Sequence, residues 1–158
     1  MQRRDKYNDY LDIAETVTER GTCLRRNFGA IIVKNDEIIS SGYTGAPRGC
    51  ANCIDLATCR REELKVPRGE RYELCRSVHA EANAIISASR RDMIGAVLYL
   101  VGKDAKNGSL VENTMPCAMC TRLIINAGIS LVVIRVTEDT YKIVDVKDWV
   151  LQDRIMDV

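Results

Sequence analysis

Aromatic residues are scarce in this sequence and histidine is almost missing. Tyr, Phe and Trp make up 5% of 158 residues, and His79 is the only imidazole. So few ring faces argue against the stacking platforms that bind single-stranded nucleic acid. An excess of one charge is lacking too: 28% of residues are charged, yet the formal net charge is +1. No global field therefore marks the chain for nucleic acid or a membrane surface. No run approaches the roughly 18 apolar residues of a membrane span, and the opening Met-Gln-Arg-Arg-Asp-Lys lacks a signal-peptide apolar core. Linkers, internal repeats and low-complexity tracts are absent. The length reads as one domain, 1–158, large enough to bury a real core.

Cysteine, by contrast, is abundant, with seven residues. An odd count without a secretion signal favours metal ligation in a reducing cytoplasm over a disulfide framework. Cys117 and Cys120 stand at i and i+3 directly after Pro116. His79 is followed two positions later by Glu81. Singly these signals are weak: a lone His is usually a packed or surface residue, and Cys-x-x-Cys also fits a redox pair. Jointly they supply one neutral imidazole and two thiolates, three zinc ligands with a fourth position left for water. Structural sites use four protein ligands, so three plus water is the catalytic pattern. A glutamate beside the metal but not bound to it can move protons. His-x-Glu followed by Pro-Cys-x-x-Cys is the known signature of zinc nucleobase deaminases.

Local signals place these residues at helix starts. Pro116 suits a first helical turn, and a helix N-terminus favours thiolates. Helical spacing continues from Thr121 to Ala127 and closes at Gly128. His79 and Glu81 open an alanine-rich helix predicted to run to about Arg91. Upstream, residues 3–20 carry a helical period closed by Gly21. Phe28 to Val33 reads as a buried strand, Asn35-Asp36 as a turn, and Ile38-Ile39 to Gly42 as the returning strand of a hairpin. Residues 42–49 form a Gly- and Pro-punctuated loop. Ala96 to Val101 and the β-branched Ile129 to Val136 are further strands, separated by a polar loop from Lys103 to Thr114. Residues 137–158 are expected to add a last strand and a short helix. The order implies an α/β fold with a mixed sheet and helices on both faces.

Residues 50–76 form an insertion that is rich in charge, poor in core residues and long enough to need a clamp. It carries Cys50, Cys53, Cys59 and Cys75, and Cys23 could join them. Four thiolates from these five would make a closed structural zinc site; reduced thiols without metal are the alternative.

The chain resembles the cytidine deaminase superfamily, and within it the deoxycytidylate deaminases of bacterial, phage and late-competence type. The likeness runs from about Cys23 to Arg135. It rests on Phe28-Gly29-Ala30-Ile31-Ile32-Val33, Gly42-Tyr43-Thr44-Gly45-Ala46-Pro47, His79-Ala80-Glu81-Ala82-Asn83-Ala84-Ile85, and Pro116-Cys117-Ala118-Met119-Cys120. The resemblance implies a three-layer α/β/α cytidine-deaminase-like fold around a mixed sheet of about five strands. It implies hydrolysis of dCMP to dUMP and ammonia, in supply of thymidylate. His79, Cys117 and Cys120 would hold a catalytic Zn2+. Glu81 would take a proton from water, protonate ring N3 and later the leaving amino group. At the sugar-contacting position the family usually has asparagine where this chain has Thr44, and a hydroxyl cannot make both bonds of an amide. Asn83 matches the family position inside the histidine motif, as substrate contact or structural hydrogen bond. Arg25 and Arg26, and less directly Tyr141, are the phosphate candidates.

The resemblance also implies a second, structural Zn2+, for which Cys23, Cys53, Cys59 and Cys75 are the available ligands, with Cys50 as the spare thiol. It further implies a homo-oligomer, often a hexamer, and raises regulation by dCTP and dTTP, with Arg90 and Arg91 at the end of the histidine helix. The rivals are a deaminase of cytidine, tRNA adenosine, a riboflavin-pathway pyrimidine or DNA cytosine, and, from another class, a zinc-binding structural module. The charge balance opposes the nucleic-acid enzymes, and Glu81 beside only three ligands opposes the module.

Overall fold

The structure, a computed structural model, describes residues 1–153. Helix α1 spans Lys6–Thr18. Its cap is Asp5, whose carboxylate accepts from the Asn8 N–H at 3.2 Å, so the helix starts later than residue 3. Strands β1 (Arg26–Lys34) and β2 (Glu37–Tyr43) form the expected hairpin. Asn35 and Asp36 both take positive φ, 51° and 63°, which matches the right-handed twist of the strands they join.

The insertion folds into two single turns, α2 (Cys53–Leu56) and α3 (Arg60–Glu63), and a 3₁₀ turn at Tyr72–Leu74. Helix α4 is Ala80–Ile86, followed by a separate turn, α5, at Arg90–Met93. One helix from His79 to about Arg91 was expected. It breaks because Ser87 returns its hydroxyl to the Asn83 carbonyl at 2.9 Å and Ser89 caps α5 by accepting from the Asp92 N–H. Serine side chains compete with the helical ladder in this way. Strand β3 (Val97–Asp104) runs three residues past the expected Val101, and the next loop is held by a bridge between Lys103 and Leu110. Helix α6 is Ala118–Ala127, closed by Gly128 at φ 82°. Strands β4 (Leu131–Arg135) and β5 (Tyr141–Asp145) and helix α7 (Val146–Leu151) follow.

The sheet order is β2-β1-β3-β4-β5, with β3 and β4 parallel and the other pairs antiparallel. Alternation along the strands divides the apolar residues between two faces. Ala30, Ile32, Leu98, Leu100, Val132 and Ile134 meet Ala80, Ala84, Ile124 and Trp149 from α4, α6 and α7. Ile31, Val33, Tyr99, Val101 and Val133 meet Tyr10, Leu11 and Ala14 of α1. This is the expected α/β/α layering with a five-stranded mixed sheet. Close approach needs glycine on each side: a Cβ on Gly29 would lie 2.3 Å from the Ala14 carbonyl oxygen, and one on Gly42 would lie 2.4 Å from that of Ala80. Arg135, 2% exposed, fastens α1 to β4 by pairing with Asp12 at 2.9 Å and donating to the Asn8 carbonyl at 3.1 Å.

Candidate metal centre and substrate cavity

Two helix starts meet where the sheet ends. His79 caps α4 and Cys117 caps α6, so both point from the first turn. Before His79 the chain is pinned: Gly45 and Val78 exchange both backbone hydrogen bonds, at 3.2 and 2.7 Å. Asn83 adds a second tie, donating its side-chain amide to the Tyr43 carbonyl at 2.8 Å.

His79, Cys117 and Cys120 bring one ligand atom each within 4.8 Å of one another, the one such group of three or more His, Cys, Asp or Glu among the described residues. The imidazole atom that faces the thiols is Nδ1, 3.4 Å from Cys117 Sγ and 3.5 Å from Cys120 Sγ. Zinc bonds of about 2.0–2.1 Å to nitrogen and 2.3 Å to sulfur, at a tetrahedral angle, require a separation of about 3.5 Å. The donor set fits zinc in chemistry and spacing. The Cys117 thiol is held far below its ordinary range, first by a hydrogen bond from Cys120 and then by His79. Cys120, accepting no such help, is pushed up by the same bond and by burial. One thiolate is thus already favoured before any cation adds its field. Glu81, 5% exposed, lies in the same cavity. Burial pushes its carboxyl up, and the charge of His79 opposes that rise.

The family described as the cytidine and deoxycytidylate deaminase zinc-binding region matches residues 4–136. The chain belongs to this family. It is 38% identical over 138 residues to the deoxycytidylate deaminase of Mycobacterium phage D29, a match covering 84% of this chain and 96% of that protein. The Schizosaccharomyces pombe deoxycytidylate deaminase is 31% identical over 124 residues, which are 78% of this chain and 35% of that longer protein. In fold, the apo crystal structure of dCMP deaminase from cyanophage S-TIM5 superposes with a TM-score of 0.59 at 26% identity, covering 85% of each chain.

Arg25, Arg26 and Thr44 line the same cavity as His79, Glu81 and Cys117. Thr44, buried, accepts the Phe28 N–H on its hydroxyl oxygen and so keeps its own proton to give. Arg25 Nε lies 3.3 Å from Glu62 of the insertion. Two other candidates lie elsewhere. Asn83 does not line the cavity and spends its amide on backbone carbonyls. Tyr141 packs on Tyr7 at 5.4 Å, with the cluster on the α1 side of the sheet. Arg90 donates to the Asn126 carbonyl at the end of α6.

The insertion forms the cavity's outer wall, which sequence reasoning missed. Arg61, Arg68, Tyr72 and Ser77 line it together with Cys23, Cys59 and Cys75. Arg61 lies over the Tyr72 ring at 4.7 Å, and that ring stands edge-on to His79 at 5.2 Å. The available signal was sequence distance from cysteine, since Arg61 lies two residues after Cys59 and Tyr72 three before Cys75.

No cysteine is in a disulfide. The Cys53 thiol is pushed up by burial and then by Cys23, Cys75 and Cys59, though no three of these four sulfurs lie within 4.8 Å of one another. Burial pushes the Cys23 thiol up, and the Arg25 N–H, donating to its Sγ at 3.3 Å, opposes that rise. Cys50 is exposed. No helix among the described residues is long and apolar enough to cross a membrane.

Proposed function

We propose that this chain hydrolyses the amino group of dCMP, giving dUMP and ammonia, with His79, Cys117 and Cys120 holding a catalytic zinc. The observation that carries the reading is the convergence of these three donors with buried Glu81 on one cavity that Arg25, Arg26, Arg61 and Arg68 also line. Zinc, when bound, supplies a water ionised near neutral pH, where bulk water has a pKa of about 15.7.

The remaining work falls to the chain's own groups. Glu81 receives the proton of the attacking water, gives it to ring N3 as the ring carbon C4 becomes tetrahedral, and passes a proton to the departing amino nitrogen. Burial pushes its carboxyl above the ordinary carboxylate range, which helps it take up the proton it must later give back. Thr44 directs its hydroxyl proton at the sugar while its oxygen stays on the Phe28 N–H. Arg25 and Arg26 set the positive potential that receives a phosphate.

A second zinc, held by Cys23, Cys53, Cys59 and Cys75, orders the insertion and closes the wall. What supports this is that burial, and after it the charges of Cys23, Cys75 and Cys59, push the Cys53 thiol up, an effect that a divalent cation would offset. The chain assembles as a homo-oligomer, a hexamer by family resemblance, which would cover exposed Ile86, Met119 and Leu123. The deciding experiment is ammonia release by zinc-loaded protein on dCMP, CMP and deoxycytidine at one concentration. Turnover is expected to be fastest on dCMP. Deoxycytidine turned over as fast as dCMP would overturn the substrate reading, and no release from any would overturn the reaction.

A further inference from the structure

We infer that Arg61, carried to the cavity by the cysteine insertion, is a specificity-determining ligand of the substrate phosphate. The inference rests on the reading of the substrate as a nucleoside monophosphate. Arg61 is 8% exposed, a burial that arginine rarely reaches unless paired with an acid. No carboxylate pairs with it among the described residues. Its Nη2 donates to the carbonyls of Pro67 at 3.1 Å and Glu70 at 2.5 Å, both neutral, and its Nε is buried without a partner. The side chain is therefore a positive charge on the cavity wall with no carboxylate in salt-bridge contact, Glu73 sensing it only at longer range while pairing with Arg71.

Its surroundings indicate what its counter-ion is. The Tyr72 ring supports the guanidinium from below at 4.7 Å and touches His79 at 5.2 Å, so the charge stands within a nucleotide's length of the metal ligands. Arg25, on the same wall, already has Glu62 at 3.3 Å. An oxyanion at the far end of a bound pyrimidine nucleotide meets in Arg61 a cation that no protein acid has claimed. Guanidinium donors suit phosphate oxygens in number and direction. The loop anchoring Arg61 is the one that the cysteines enclose, so recognition of phosphate is coupled to the ordering of the insertion.

The test compares wild type, Arg61→Gln and Arg61→Lys on dCMP and deoxycytidine, with inorganic phosphate as competitor against dCMP. In Arg61→Gln the loss in kcat/KM on dCMP should exceed that on deoxycytidine at least tenfold and appear mainly in KM. Inhibition by phosphate should weaken in parallel, and Arg61→Lys should recover part of both. Equal losses on the two substrates, with phosphate inhibition unchanged, would overturn the inference and leave Arg61 a packing residue. If either variant fails to fold, the other carries the comparison; if both fail, wild type decides, since no competition by phosphate would overturn the inference. A wild type that turns over deoxycytidine as fast as dCMP would instead overturn the monophosphate reading itself.

Discussion

Thr44 and Phe28 bind each other twice at the cavity rim: the Phe28 N–H donates to Thr44 Oγ1 at 3.0 Å, and the Thr44 N–H donates to the Phe28 carbonyl at 3.2 Å. Thr44→Val keeps the shape but strips an acceptor from a backbone donor and a donor from the cavity. It should lower stability by about 1–3 kcal/mol and raise KM for dCMP, whereas Thr44→Ser should preserve both. Thermal unfolding and steady-state kinetics read the two effects. A valine variant indistinguishable from wild type would show that the hydroxyl serves neither purpose.

Glu81 is buried beside the metal ligands without belonging to their set. Glu81→Gln should retain zinc at the wild-type ratio and lose turnover by about 10²–10⁴-fold, the usual worth of a positioned acid–base group. Metal analysis alongside ammonia release separates this outcome from loss of the site. Loss of zinc with loss of activity would make Glu81 a ligand.

The second zinc proposed for Cys23, Cys53, Cys59 and Cys75 predicts two zinc ions per chain. Cys53 is the most buried of the four at 5% exposure. Cys53→Ser should leave one zinc, lower the melting temperature and raise KM more than it lowers kcat, while Cys50→Ser should change none of these. One zinc per chain in fully active wild-type protein would remove the second site.

Asp12 gives the fold a measurable acid limit. Its carboxyl is held below its ordinary value of 3.8, first by the hydrogen bond from Arg4 at 2.8 Å and then by Arg135. A depressed carboxylate contributes stability that is present above its unfolded pKa and is lost as pH falls through the native one. The unfolding midpoints of wild type and Asp12→Asn should therefore differ at pH 6 and converge as pH falls below 3.8. A difference that stays constant over that range would assign the effect to packing.

Features encoded within a few adjacent residues were legible in the sequence. The Asn35-Asp36 turn, the Gly128 cap, and the metal donors at His79, Cys117 and Cys120 all depend on local chemistry that survives without a partner segment. Long-range placement was not legible. Helix α4 ends early because of Ser87 and Ser89, which disturb no hydrophobic period. Tyr141 faces α1 because β5 pairs with β4 in the register Arg135↔Tyr141, and sequence does not reveal a register between strands. Arg61 and Tyr72 reach the cavity only through the path of an insertion made of short turns, which no apolar spacing announces.

That insertion divides the cavity between two pieces of chain. The ligands and Glu81 stand on helices seated against the sheet, whereas Arg61, Arg68 and Tyr72 arrive on a short excursion bracketed by cysteines. An excursion of this kind can be lengthened, shortened or rewritten while the helices beneath it keep their packing. Substitutions that change which nucleotide is accepted should therefore accumulate in 50–76, and proton transfer would pass unchanged through that divergence.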